Sequence, residues 1–219
     1  MANISNKAEQ MPASAIRKLV PLADAAKKEG VKVYHLNLGQ PDIKSPTCAL
    51  DAIRNFSGEN VSYSHSAGLM DLRKGLVEKY YGKMGINISV DELIVTVAGS
   101  ESVNLALEIT CNPGDEVIVL EPFYTNYNTF AFMNGLTLKA ISTDIRNGFQ
   151  IPPIEEFEKA ITDKTKAILV CNPGNPTGTQ YSKESMLALG EIARKHDLFL
   201  LSDEVYREFC YTDEPHFSA

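Results

Sequence analysis

Four short stretches of this 219-residue sequence carry side chains whose types and spacing could do chemistry. The most specific is Asn172-Pro173-Gly174-Asn175-Pro176-Thr177-Gly178, where two prolines and two glycines fix the path of a loop. Asn175 precedes a proline, which biases its backbone away from the helix, so a rigid loop can aim its amide at a ligand oxygen. The second stretch is Asp203-Glu204-Val205-Tyr206. A carboxylate at the end of a buried strand is costly unless paired; a cationic ring nitrogen is one such partner, and a plain helix cap is the other use of Asp203. Tyr206 comes three residues later, on the same side if the chain turns helically, with its hydroxyl in reach of a neighbouring ring substituent. The third stretch, Ala98-Gly99-Ser100-Glu101-Ser102, leaves backbone N–H groups open where a helix begins, which suits a phosphate. A tight strand-to-helix turn has the same composition, and the Glu101 carboxylate would repel an anion if it pointed inward. In the fourth, Tyr124 follows Glu121-Pro122-Phe123 and either stacks on a flat heterocycle or fills a core.

Other chemistries lack their residues. The lysine of a G-x-x-x-x-G-K-[ST] loop is missing after Gly99, and there is no G-x-G-x-x-G. The cysteines at 48, 111, 171 and 210 form no C-x-x-C pair, and the histidines at 35, 65, 196 and 216 have no ligand spacing. No metal site is expected.

The elements that must position these residues alternate. After an N-terminal arm (residues 1–10), helical patterns occupy 14–28, 46–56 and 68–84, with a short extended run at 33–38. Strand patterns follow at 93–97 (LIVTV), 116–120 (EVIVL), 136–141, 166–171 (KAILVC) and 198–202 (LFLLS). Between them lie helical patterns from the end of an Ala98-Gly99-Ser100 turn to about 109, at 124–133, at 153–161 and, with Ser182 as N-cap, at 183–196. Alternation of this kind predicts a three-layer α/β/α fold with a mostly parallel sheet, and near-continuous apolar strands fit burial on both faces. Ligands of such folds sit outside the carboxyl ends of the strands, which is where all four stretches fall.

Composition agrees. Hydrophobic residues make up 44% and charged residues 22%, which is ordinary for a globular chain. The 21 basic and 28 acidic side chains leave a net charge of −7, which argues against a nucleic-acid binder. No apolar run reaches the ~18 residues of a membrane span, and the polar residues 1–10 lack the apolar middle of a signal peptide. The expectation is a soluble, reduced, cytoplasmic chain.

Taken together, these residues resemble the class I/II aminotransferases, fold-type I pyridoxal-phosphate enzymes, in their aspartate aminotransferase-like branch. The resemblance runs from Asn37-Leu38-Gly39-Gln40-Pro41-Asp42, through Tyr63, Gly68, Leu72 and Arg73, to the N-P-G-N-P-T-G loop and Ser202-Asp203-Glu204-Val205-Tyr206. It implies pyridoxal 5'-phosphate as cofactor and amino transfer between an amino acid and a 2-oxo acid. By the same resemblance Gly99, Ser100 and Glu101 supply the phosphate turn, Tyr124 stacks on the pyridine, and Asn175 and Tyr206 hydrogen-bond its 3-oxygen. Asp203 keeps the pyridine nitrogen protonated, so that the ring can act as electron sink; Asp203 and Tyr206 are the implied catalytic residues. Gly39 and Asn175 are the implied substrate contacts. Tyr63 reaches the cofactor phosphate of a neighbouring subunit, which implies a homodimer.

There are departures from the family pattern. Gln40 stands where relatives often have Glu, and Ser100 where several have Lys or Thr; neither removes a backbone donor. The Schiff-base lysine, expected on a Ser-x-x-Lys segment two strands after Asp203, is not in the sequence, which stops at Ala219; Lys183 after Ser182 is in the wrong place. The expectation is therefore an N-terminal portion of a longer enzyme, inactive by itself. Residues 1–40 would form an arm, a helix and part of a small domain, and residues 41–219 an incomplete large domain. A C–S lyase, a cyclopropane-forming synthase and a non-catalytic ligand-binding domain of the same fold share the early motifs and stay open as alternatives.

Overall fold

The computed structural model of the chain describes residues 2–11, 17–37, 39 and 41–219. It divides into two units, one formed by Met1–Ala15 with Ala98–Ala219 and the other by Ile16–Val97.

In the first unit, part of the expected arm is a short helix, α1 (Asn6–Gln10). Ser5 caps it by accepting the Ala8 N–H at 3.2 Å, and Lys7 Nζ donates to the Met133 carbonyl.

The second unit holds α2 (Val20–Lys28), α3 (Thr47–Arg54) and α4 (Met70–Gly75). Pro21 sits in the first turn of α2, where its missing N–H costs nothing; residues 14–16 of the expected helix and Leu38 and Gln40 of the first motif lie outside the described residues. Residues 33–37 are irregular rather than extended strand. The single helix expected over 68–84 is three pieces: α4, a π turn over Leu76–Tyr81 and a 3-10 turn over Gly82–Met84. Gly75 and Gly82, both weak helix formers, flank the π turn, and the Gly82 N–H donates to the Val77 carbonyl five residues back.

The expected strand at 93–97 is not a strand of the sheet. Its β-branched side chains gave the pattern, yet Ile94 and Val97 are exposed (65% and 95%) and the Val95 N–H bonds the Ala67 carbonyl at 3.0 Å. Propensity of this kind reports fit to a pleated, half-buried surface, and a strand forms only beside a partner. The segment is instead pinned by Arg73, only 4% exposed, whose guanidinium donates to the carbonyls of Leu93 (3.0 Å) and Val90. Gly68 lets it approach: at φ +97°, a Cβ there would meet Val95 Cβ at 2.6 Å.

Residues 98–219 form the layered part. In order these are α5 (Gly99–Thr110), β1 (Glu116–Glu121), α6 (Asn126–Asn134), β2 (Thr137–Ser142), α7 (Ile154–Ala160), β3 (Thr165–Cys171), α8 (Lys183–Lys195) and β4 (Phe199–Asp203). The four strands are all parallel, in the order β2-β1-β3-β4. Alternation along each strand sorts the core into two layers. Val117, Val119, Ala167 and Leu169 pack with Leu107 of α5 and Phe130 of α6; Ile118, Leu120, Ile168 and Val170 pack with Phe157 of α7 and Leu189 of α8. This is the expected three-layer α/β/α arrangement. Each fully buried aliphatic side chain contributes ~1.5–3 kcal/mol, so the two layers fix the strand ends that carry the site. Among the described residues no helix is long and apolar enough to cross a membrane.

Candidate functional site

A cleft of about 180 Å³ opens at the carboxyl ends of β3 and β4, beside the start of α5. Parallel pairing sets its floor. Cys171 is in register with Asp203, and the Asn172 N–H donates to the Asp203 carbonyl at 2.9 Å. Asp203 is the one charged group among the described residues lining the cleft. Both of its carboxylate oxygens are held: Oδ2 accepts from the Tyr127 hydroxyl at 2.7 Å and Oδ1 from the Val205 N–H at 3.2 Å. The chain after β4 then turns, with the Arg207 N–H donating to the Glu204 carbonyl, and brings Tyr206 over the cleft.

The loop after β3 is built to hold Asn175 still. Asn172 is fully buried; its Oδ1 accepts the Tyr181 N–H at 2.9 Å, and its carbonyl bonds His216 Nε2 at 2.9 Å. The Gly174 N–H donates to the Thr179 carbonyl, and the Gly178 N–H to the Gly174 carbonyl. A Cβ at Gly174 would lie 2.7 Å from Thr177 Oγ1, so any larger residue there would have to displace the Thr177 side chain. Asn175 Nδ2 donates to the Tyr206 hydroxyl at 3.3 Å, which joins the two most informative stretches of the sequence.

Ala98, Gly99 and Ser100 line the opposite wall, where α5 begins without a side-chain cap. A twelve-residue helix with its uncapped N-terminus against a cleft offers backbone donors and positive potential. Glu101 is exposed and outside the lining, and its N–H is spent on the Ala98 carbonyl at 3.0 Å. Tyr124 lines the cleft with its hydroxyl accepting from Asn126 Nδ2 at 2.8 Å and its ring edge-on to Tyr127 (centroids 5.6 Å, 85°).

Gly99, Ser100, Tyr124, Asn175, Asp203 and Tyr206 are thus brought to one cleft. Gly39 and Tyr63 belong to the other unit, where both are exposed and Tyr63 fully so. Sequence reasoning missed Tyr127, which is 1% exposed, and Cys171 on the floor. A tyrosine inside a helix reads as core; its only signal was its place three residues after Tyr124, one helical turn on. Burial and the Asp203 charge push the Cys171 thiol up to about 11. Burial, with Cys171 and Asp203 nearby, pushes the Tyr127 phenol far above its ordinary range, so it stays a donor.

The family model of class I and II aminotransferases matches residues 31–219. An aspartate/prephenate aminotransferase of Thermus thermophilus is 35% identical over the whole chain, which covers 56% of that protein. The putative aminotransferase YugH of Bacillus subtilis is 38% identical over 96% of the chain and 54% of its own length. Among solved structures, aspartate aminotransferase from Thermus thermophilus with maleate superposes with a TM-score of 0.90 at 34% identity, over 100% of this chain and 57% of that one. An alanine aminotransferase from Pyrococcus furiosus does so at 0.89 and 34%, over 99% and 55%. The chain spans about half the length of the relatives it matches.

Proposed function

The chain belongs to the class I and II aminotransferases, and from that premise we propose that the whole protein transfers an amino group between an amino acid and a 2-oxo acid, with pyridoxal 5'-phosphate as its cofactor. One observation carries this reading: the cleft holds a single carboxylate, Asp203, at its floor, with the Asn175–Tyr206 pair beside it and a helix N-terminus in its wall.

That donor set fits a flat cationic heterocycle bearing a phenolic oxygen and a phosphate. Asp203 would hold the proton of the pyridine nitrogen as an ion pair. Asn175 and Tyr206 would orient the ring by its 3-oxygen. The backbone of Gly99 and Ser100 would take the phosphate, as helix N-termini do, and Tyr124 would cover a ring face. When bound, the cofactor supplies an electron sink for the carbanion formed at the substrate α-carbon. Everything else in the cleft serves orientation and charge. Val103, Phe130 and Val205 give the lining an apolar share, and a water-poor wall strengthens the Asp203 ion pair.

Gly39 is proposed to meet the substrate carboxylate, and Tyr63 to complete the site of a second subunit in a homodimer, with residues 1–40 forming an N-terminal arm, whose α1 belongs to the unit of the sheet, then a helix and part of the small domain. This reading assigns the Schiff-base lysine to residues outside the 219, and places the enzyme in the cytoplasm. Aspartate is the first amino donor to assay, since several relatives are aspartate aminotransferases by name. The test is absorbance of the full-length protein titrated with pyridoxal phosphate, followed by amino transfer from aspartate to 2-oxoglutarate. An unchanged cofactor spectrum at millimolar cofactor refutes the reading.

A further inference from the structure

We propose that Tyr127, which does not line the cleft, is a positioning residue that fixes where the proton sits between Asp203 and a bound pyridinium nitrogen. The inference rests on the cofactor reading above and goes one layer beyond it. Three observations lead to it.

First, the bond is direct: the Tyr127 hydroxyl donates to Asp203 Oδ2 at 2.7 Å, across 76 residues of sequence. Second, Tyr127 has no freedom to do otherwise. Its side chain is 1% exposed, stacked near parallel to Phe123 (centroids 6.2 Å, 12°), edge-on to Tyr124 and packed into the layer below the sheet. Third, the other carboxylate oxygen is held by the Val205 N–H. The carboxylate plane is therefore set by two donors from different elements, α6 and the turn after β4.

A cationic ring nitrogen and a carboxylate can share one proton in two ways, as an ion pair or as a neutral pair with the proton on oxygen. A hydrogen bond to the carboxylate favours its charged form. The Tyr127 bond thus tips the pair toward the protonated ring. The titratable groups facing Asp203 are Tyr127 from α6 and Cys171 from β3, with Tyr124 and Tyr206 in the same cleft. Burial, first, and the nearby Cys171 and Asp203 disfavour loss of the Tyr127 proton, which keeps the phenol a donor to the carboxylate.

The test uses the full-length protein loaded with pyridoxal phosphate labelled with 15N in the ring, whose nitrogen signal reports ring protonation directly. Asp203→Ala sets the direction of the shift for a ring without its counter-ion. Tyr127→Phe removes the donor and keeps the ring; 4-fluorophenylalanine at 127 also fills the hydroxyl's space, and so serves if the Phe variant folds poorly. Both are expected to retain cofactor and to move the signal the same way as Asp203→Ala, with the ratio of ring-protonated to oxygen-protonated forms down about tenfold, the scale of one hydrogen bond to a charged group. A nitrogen signal unchanged in both Tyr127 variants, while Asp203→Ala moves it, overturns the inference and leaves the cofactor reading intact. A wild-type protein that takes up no cofactor, or a signal that Asp203→Ala leaves in place, overturns the reading and the inference with it.

Discussion

Asn175 Nδ2 donates to the Tyr206 hydroxyl at 3.3 Å, linking the loop after β3 to the turn after β4 across 31 residues. The pair is partly exposed, so as a bond it adds little stability. Its use is to hold two donors at one spacing for a ligand oxygen. Asn175→Ala and Tyr206→Phe are each expected to weaken pyridoxal phosphate binding by about tenfold, on the ~1.4 kcal/mol scale of one ligand hydrogen bond. The double variant should lose less than the product of the two, because the residues share a partner. Equilibrium dialysis or spectral titration of the four proteins measures the cycle. Strict additivity would show that the two groups act on different atoms.

Asp203 carries the larger effect. Asp203→Asn keeps an acceptor for the Tyr127 hydroxyl but removes the charge beneath the ring. Turnover of the full-length protein in an amino-transfer assay is expected to fall by at least about a hundredfold, the range for losing one preorganised electrostatic group, with the melting temperature within a few degrees of wild type. Near-normal turnover would remove Asp203 from the mechanism.

How much of this was legible in sequence depended on the local physics of each segment. AILVC and LFLLS read as apolar strands, and the residues after them as a sheet's carboxyl edge; Asp203 and Asn175 were found for that reason, although only the first strand is buried on both faces, since β4 ends the described sheet and its Phe199 is 54% exposed. LIVTV at 93–97 carried the same β-branched composition, but ladder formation depends on a neighbour that composition does not encode. The π turn after α4 left only two glycines as its trace. Tyr127 was hidden because burial of a tyrosine ring is ordinary, and its hydroxyl's partner is brought by a strand 76 residues away.

Asn172 ties the cofactor loop to the fold. Asn172→Ala would leave the buried Tyr181 N–H without its acceptor, at a cost of about 1–3 kcal/mol. For a chain of this size that lowers the melting temperature by roughly 2–4 °C per kcal/mol. Thermal unfolding followed by circular dichroism checks this. A change under 1 °C would show that water or a loop shift replaces the lost acceptor.

Acid stability should depend on Glu116, whose carboxylate accepts from Thr162 Oγ1 at 2.6 Å and lies 3.5 Å from Lys139 Nζ. The Thr162 hydrogen bond, first, and the Lys139 charge hold its carboxyl below the usual glutamate range. A depressed folded-state value means stability that is fully present above the unfolded value near 4.5 and is lost as pH falls through the folded one. Glu116→Gln should therefore be less stable than wild type at pH 7, by under about 1 kcal/mol for a solvent-screened group, and the gap should narrow as pH falls below 4.5. Denaturant titrations at pH 7 and pH 3.5 give both numbers. An equal gap at the two pH values would mean that the carboxylate's charge plays no part.

The four thiols should react very unequally. Cys48 is exposed and Cys111 buried, while Cys171 sits half-covered on the cleft floor, where burial and then the Asp203 charge raise it to about 11. Only the thiolate attacks an alkylating reagent, so at pH 7.5 Cys171 should be modified far more slowly than Cys48. Asp203→Asn removes the carboxylate's repulsion of the thiolate without unpacking the site, so it should speed iodoacetamide labelling of Cys171 several-fold and leave Cys48 unchanged. Mass spectrometry of timed digests reads both sites in one sample. If Cys171 labelling does not respond to the loss of the Asp203 charge, burial alone controls the thiol, and the electrostatic link between the ends of β3 and β4 is too weak to shape a bound cation.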